Sequence, residues 1–118
     1  MAVAASAYLS ILGKSGIRNV ALKTASNMKR LMETFRSVEG FNPDLFSGRH
    51  FSDLPVQSKI GNEKLRKRLL ESNIQGSIPL YSLLPNLSSI YGNTSFFSVT
   101  EKHNAEDFSV LKSALEAI

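Results

Sequence analysis

Few residues in this chain have the type and spacing that chemistry requires. Gly13-Lys14-Ser15-Gly16 looks like the end of a phosphate loop. The full GxxxxGK[ST] pattern needs an earlier glycine, and none occurs before Gly13. The two histidines, His50 and His103, fall in different segments, with no cysteine anywhere to complete a metal pair. His50 therefore reads as a surface or strand-edge residue, and His103 as an exposed member of a polar turn. Glu106-Asp107 reads as negative charge at a helix start rather than as a general acid and base. No serine sits in a GxSxG elbow. A lysine can form a Schiff base with an aldehyde cofactor, but only with an anchored phosphate and a partner for the ring nitrogen. Neither is recognisable here. The expectation is an empty site list, with no catalytic, cofactor-binding or metal-ligating residue.

The bulk properties narrow the classes further. At 118 residues the chain has the length of one domain. Its hydrophobic fraction of 42% and charged fraction of 20% are those of a folded globular protein rather than a disordered one. Without cysteine there are no disulfides, zinc thiolates or thiol nucleophiles, which suits the cytoplasm. The charge of +4 comes largely from the run Lys64-Leu65-Arg66-Lys67-Arg68. That run reads as a solvated helix face in preference to a nucleic-acid patch, since no aromatics interleave with it. No stretch approaches the ~20 apolar residues of a membrane span. Met1 to Leu12 has no positive charge ahead of its apolar run, so a secretory signal is not expected.

The elements follow from periodicity and punctuation. Ala2 to Leu12 is an uncharged apolar helix, stopped at Gly13. Such a segment needs a cover: its own core, a partner, a second copy, or more of the same chain. Ser15 opens a longer helix to about Val38, with Ile17, Val20, Ala21, Thr24, Met28, Leu31, Met32 and Phe35 on its apolar side. Glu39 to Gly48 is a broken connection. Arg49 to Leu54 reads as a weak strand ended by Pro55. Asn62 caps a helix to Ser72, with Leu65, Leu69 and Leu70 inward and Asn73 and Gly76 allowing a left-handed exit. Ile78 to Tyr81 suits a short edge strand because of Pro79. Leu87 to Tyr91 reads as a short turn or strand, and Ser95 to Thr100 as a strand. Asn104 and Asp107 then form a capping box ahead of Phe108, Leu111, Leu115 and Ile118. The expected class is α+β, with helices packed on a small, mainly antiparallel sheet and preceded by N-terminal helices.

In this order the segments resemble a known family. Ala4-Ala5-Ser6-Ala7-Tyr8-Leu9-Ser10-Ile11-Leu12-Gly13-Lys14-Ser15-Gly16-Ile17-Arg18 is similar to the AAxYLxxLGKxGLR segment of the glycine cleavage system P-protein, in the form of subunit 1 of the two-subunit glycine dehydrogenase (decarboxylating). Leu54-Pro55-Val56, Asn62, Leu69-Leu70-Glu71 and Ile74-Gln75-Gly76 resemble its LP…N…LLE…GIxGG run. Leu80, Pro85-Asn86-Leu87, Val99-Thr100-Glu101 and Glu106-Asp107 resemble its closing segments. Specificity lies in the order and spacing of these motifs. Two departures stand out: Gly76-Ser77 replaces the usual Gly-Gly, and Arg49 to Asp53 is more polar than usual.

The resemblance implies an aspartate-aminotransferase-like fold (PLP fold type I), of which this chain would be the C-terminal portion. Residues 1–40 would continue from a large domain, and residues 41–118 would form the small C-terminal domain. It implies a cytoplasmic hetero-oligomer in which PLP sits on subunit 2 and the aminomethyl group of glycine passes to the H-protein. Alone, the chain is expected to be inactive. Two other expectations stand beside this one. The first is a stand-alone ferredoxin-like module that uses the helix at Lys64 to Arg68. The second is self-association through Ala2 to Leu12.

Overall fold

The computed structural model describes residues 1–118 as one four-stranded antiparallel sheet in the order β1-β2-β4-β3, with the three longer helices packed on one side. The strands are β1 (Phe41–Asn42), β2 (Asp53–Ser58), β3 (Ile78–Pro79) and β4 (Thr94–Ser98). The helices are α1 (Ala2–Arg36), α2 (Asn62–Glu71), α3 (Leu80–Leu83), α4 (Ser88–Tyr91) and α5 (Ala105–Glu116), with a 3-10 turn at Pro85–Leu87.

Alternation along β2 and β4 sends Leu54, Val56, Phe97 and, just past the strand, Val99 to one face. Met28, Leu31 and Phe35 of α1, Leu65 and Leu69 of α2, and Phe108, Leu111 and Leu115 of α5 close over that face. Leu65 and Leu69 are fully buried, a gain of about 1.5–3 kcal/mol each over leaving them in water. On the opposite face, Gln57 Nε2 and Thr94 Oγ1 both donate to the Tyr91 carbonyl at 2.8 Å, which holds α4 against the sheet.

Pro55 lies inside β2 rather than ending it, and the strand runs from 53 to 58 instead of 49 to 54. The hydrogen-bond pattern explains why a proline fits there. Ser58 N–H donates to Asn93 O and Val99 N–H to Ser52 O, so the even-numbered positions of β2 bond toward β4. Lys59 N–H donates to Gly40 O, so the odd positions face β1. β1 pairs only with residues 57 and 58, so Pro55 points to a side with no ladder to lose. Pro79 sits on the edge strand β3, where a proline is tolerated.

Other expectations shift for local reasons. Gly61, not Asn62, is the N-cap of α2, and Asn62 turns its side chain inward. The segment from Leu87 to Tyr91, expected as a short turn or strand, is no strand but the end of the 3-10 turn followed by the single helical turn α4. Leu70 and Ile118 are exposed, while Ala114 takes a core place on α5. The capping box forms as expected. Asn104 Oδ1 accepts from Asp107 N–H at 3.1 Å, and Asp107 Oδ2 accepts from Asn104 N–H at 2.8 Å.

Candidate functional site

The long first helix divides by burial. Gly13 (φ 63°, ψ −175°) breaks its geometry in a conformation that suits a residue without Cβ. From Thr24 onward the helix is anchored, with Thr24, Asn27, Met28, Leu31 and Phe35 buried. Ahead of Thr24 no residue is buried: Val3 is 84% exposed and Ile11 85%, and Tyr8, Leu9, Ile17 and Leu22 are also open. The expected apolar side from Ile17 to Phe35 therefore meets the core only in its second half. Residues 2 to 13 carry no charged side chain, so this arm is an uncovered apolar surface. Lys14 and Ser15 follow the kink as exposed helical residues, and no glycine-rich loop precedes them.

A polar clamp ties the anchored half of α1 to the start of α5. Asn27 Nδ2 donates to Thr100 O at 2.8 Å and to His103 O at 2.9 Å. Thr100 N–H donates to His103 Nδ1 at 2.9 Å, so the neutral imidazole carries its proton on Nε2. Beside the clamp lies a groove of about 370 Å³, whose lining includes Ile74, Phe97, His103, Asp107, Phe108 and Leu111. His103 and Asp107 share its rim, yet both are engaged locally: Asp107 serves the capping box, and His103 Nδ1 orders the turn through the N–H and hydroxyl of Thr100. The arrangement positions a turn and offers no base aimed at a nucleophile. Replacing Asn27 with alanine leaves two partly buried carbonyls without their donor. The expected cost is about 1–3 kcal/mol, with faster amide exchange confined first to residues 100–104. Unchanged exchange there would contradict the clamp.

A second polar cluster, with no motif in the sequence to mark it, joins α2, the β3 entry and β4. Ser77 Oγ donates to Ser95 Oγ at 3.1 Å, and Ser95 Oγ donates to Asn62 Oδ1 at 3.1 Å. Ser77 and Ser95 are fully buried. The cluster holds no titratable group, so it cannot activate a serine; it pins α2 and the β3 entry to β4. Ser77 has φ 65°, the left-handed region where Gly is at ease, and it occupies the second position of the Gly76-Ser77 departure. Asn62 is the one member with a visible sign in the sequence, but by type and position it suits a helix cap, and its inward turn depends on Ser95.

His50 lies in the connection before β2, with a buried Nε2 that makes no hydrogen bond. Nearby, Arg36 grips Asp44 through both carboxylate oxygens, with Nε to Oδ2 at 2.9 Å. The Arg36 hydrogen bond, more than any other influence, holds the Asp44 carboxyl below the ordinary range. A depressed folded value means the pair stabilises the fold above the usual aspartate range and stops doing so as pH falls through the folded value. The melting-temperature gap between the wild type and Arg36→Met is therefore expected at neutral pH and should close in acid. Both side chains are about half exposed, so the gap is small. A gap that persists in acid would contradict this account. The basic residues Lys64, Arg66, Lys67 and Arg68 all lie on the exposed side of α2.

No family model matches the chain. Over 118 residues, all of this chain, it is 36% identical to the probable glycine dehydrogenase (decarboxylating) subunit 1 of Thermoplasma acidophilum, and it covers 26% of that protein. The corresponding protein of Staphylothermus marinus is 32% identical across 99% of this chain and 24% of its own length. That of Coxiella burnetii is 31% identical across 98% of this chain and 25% of its own. The chain thus spans about a quarter of the length of the curated relatives it matches. Among solved structures, a glycine decarboxylase (P-protein) of the glycine cleavage system, crystallised in inhibitor-bound form, superposes with a TM-score of 0.78. It is 28% identical and matches 93% of this chain and 24% of its own.

Proposed function

We propose, from the chain's membership along its whole length of the glycine dehydrogenase (decarboxylating) subunit 1 family, that it acts as the C-terminal portion of such a subunit. Its role is to complete a small domain that braces an active site built elsewhere. Residues 41–118 form that domain, and residues 1–40 carry the chain over from a large domain. The observation that supports this reading most is the uncovered arm. Val3, Tyr8, Leu9 and Ile11 are solvent-facing on an uncharged helix, which is the condition of a surface that more polypeptide covers. Self-association through Ala2 to Leu12 is the second way to cover it.

The parent assembly decarboxylates glycine with PLP and passes the aminomethyl group to the lipoyl arm of the H-protein, with subunit 2 as the partner that carries the cofactor. Residues of this chain do not fit that cofactor. Every lysine is exposed, and none lines the groove beside the clamp, so no desolvated amine is poised for a Schiff base. The chemistry is therefore assigned to the partner, and no step is routed through this chain. The assembly works in the cytoplasm on this reading; no helix of the chain is long and apolar enough to cross a membrane. A stand-alone ferredoxin-like module is not favoured beside the P-protein likeness, which accounts for almost the whole chain. Given glycine, PLP and lipoylated H-protein, the chain alone is expected to transfer no aminomethyl group. Turnover would overturn this assignment.

A further inference from the structure

α2 has one face that the fold does not use. Asn62, Leu65 and Leu69 are buried on its inner side. On its outer side Glu63, Arg66, Lys67 and Leu70 follow one another at i, i+3, i+4 and i+7, so they form a single exposed stripe. The stripe is about 10 Å long at 1.5 Å per residue. Tyr81 of α3 joins its first turn, because the phenol donates to Glu63 Oε1 at 2.6 Å. Tyr81 is 44% exposed and Leu70 47%. The surface therefore runs from an aromatic ring, across two cations, to an exposed leucine.

The two cations are unpaired. Arg66 and Lys67 have no carboxylate partner within 4 Å, as is true of every Lys and Arg of the chain other than Arg36, Lys59, Arg68 and Lys112. The helix dipole rewards a cation in the last turn, which accounts for Arg68. It does not account for Arg66 and Lys67 in the middle of the helix. Glu63, at the start of the stripe, makes no ion pair with either of them and accepts its hydrogen bond from Tyr81.

We infer that this stripe docks an acidic amphipathic segment of another protein. Its carboxylates meet Arg66 and Lys67, and its flanking apolar side chains cover Tyr81 and Leu70. Charge complementarity sets the sign of the partner, and the two apolar ends set its amphipathic character. A polyphosphate fits less well. No aromatic interleaves with the basic run for base stacking, and Leu70 gains nothing from a phosphate backbone.

The test is fluorescence anisotropy on the full chain. The probe is a short helical peptide with paired glutamates flanked by leucines one turn to either side. Binding is expected, weakening from low to physiological salt. The double reversal Arg66→Glu/Lys67→Glu is expected to lose at least about tenfold in affinity, and Leu70→Ser several-fold. Lys64→Glu, off the stripe, is expected to change it by less than about twofold. All four residues are exposed, and circular dichroism checks that each variant keeps its helices. The inference is overturned by absence of binding, by an equal loss in Lys64→Glu, or by a thymidine oligonucleotide that binds more tightly than the peptide.

Discussion

Replacing Phe35 with alanine is expected to destabilise the chain by about 3–5 kcal/mol. Phe35 ends the anchored half of α1 and is completely buried. Its ring lies 4.7 Å from that of Phe97 on β4 and 5.7 Å from that of Phe41 on β1, tilted against both. One side chain therefore joins the long helix to two strands. Its removal leaves a cavity among groups that are fixed by backbone pairing and relax little. Tilted aromatic contacts add about 0.5–1.5 kcal/mol each beyond area burial. For a domain held by about 5–15 kcal/mol in total, the loss takes much of the reserve. Urea titration is expected to show a lower midpoint with an unchanged slope. Phe35→Leu should recover part of the loss by refilling volume. A cost below about 1 kcal/mol for the alanine variant would mean that α1 is not seated on the sheet as described.

The helices were the most legible part of the chain, because their signals are local. Asn104 and Asp107 stand three residues apart ahead of Phe108, and the box they form depends only on that short stretch. The second half of α1 and the inner side of α2 were readable for the same reason, since a 3.6-residue period declares its own face. The strands were less legible. A proline in Leu54-Pro55-Val56 argues for a strand end if only the neighbours are known. Its true place depends on β1 stopping at Asn42, and that is a fact about pairing across the sheet. Ile17 and Ala21 continue the apolar period of α1 but remain exposed, because periodicity shows which side of a helix is apolar and not how far the core extends.

The same limit applied to polar groups. Asn62 precedes a helix and is a good cap by type, yet Ser95, thirty-three positions away, takes its side chain into the interior. Asn27 sits among the core-facing positions of α1 and has a type that periodicity treats as noise. Its partners, the carbonyls of Thr100 and His103, are 73 and 76 positions away in the sequence. Ser77 adopts a positive φ that its type does not announce; the resemblance supplied the hint, through the position where a glycine is usual. The empty list of catalytic residues was a reading of type and spacing. The structure adds where the remaining polar residues are spent: on caps, on a clamp and on a buried hydroxyl cluster.

The most direct measurement is complementation. A subunit 1 of glycine dehydrogenase (decarboxylating), cut to lack the quarter that corresponds to this chain, is combined with subunit 2, PLP, lipoylated H-protein and glycine. Aminomethyl transfer is then followed with and without the chain. The cut subunit alone is expected to be inactive, and addition of the chain is expected to restore transfer in proportion to the amount bound. Polar substitutions on the arm, such as Leu9→Ser with Ile11→Ser, are expected to suppress the rescue while leaving the chain's own melting temperature unchanged, since both residues are exposed. Failure of the intact, folded chain to bind or rescue the cut subunit would contradict the bracing role. So would rescue that is indifferent to the arm substitutions.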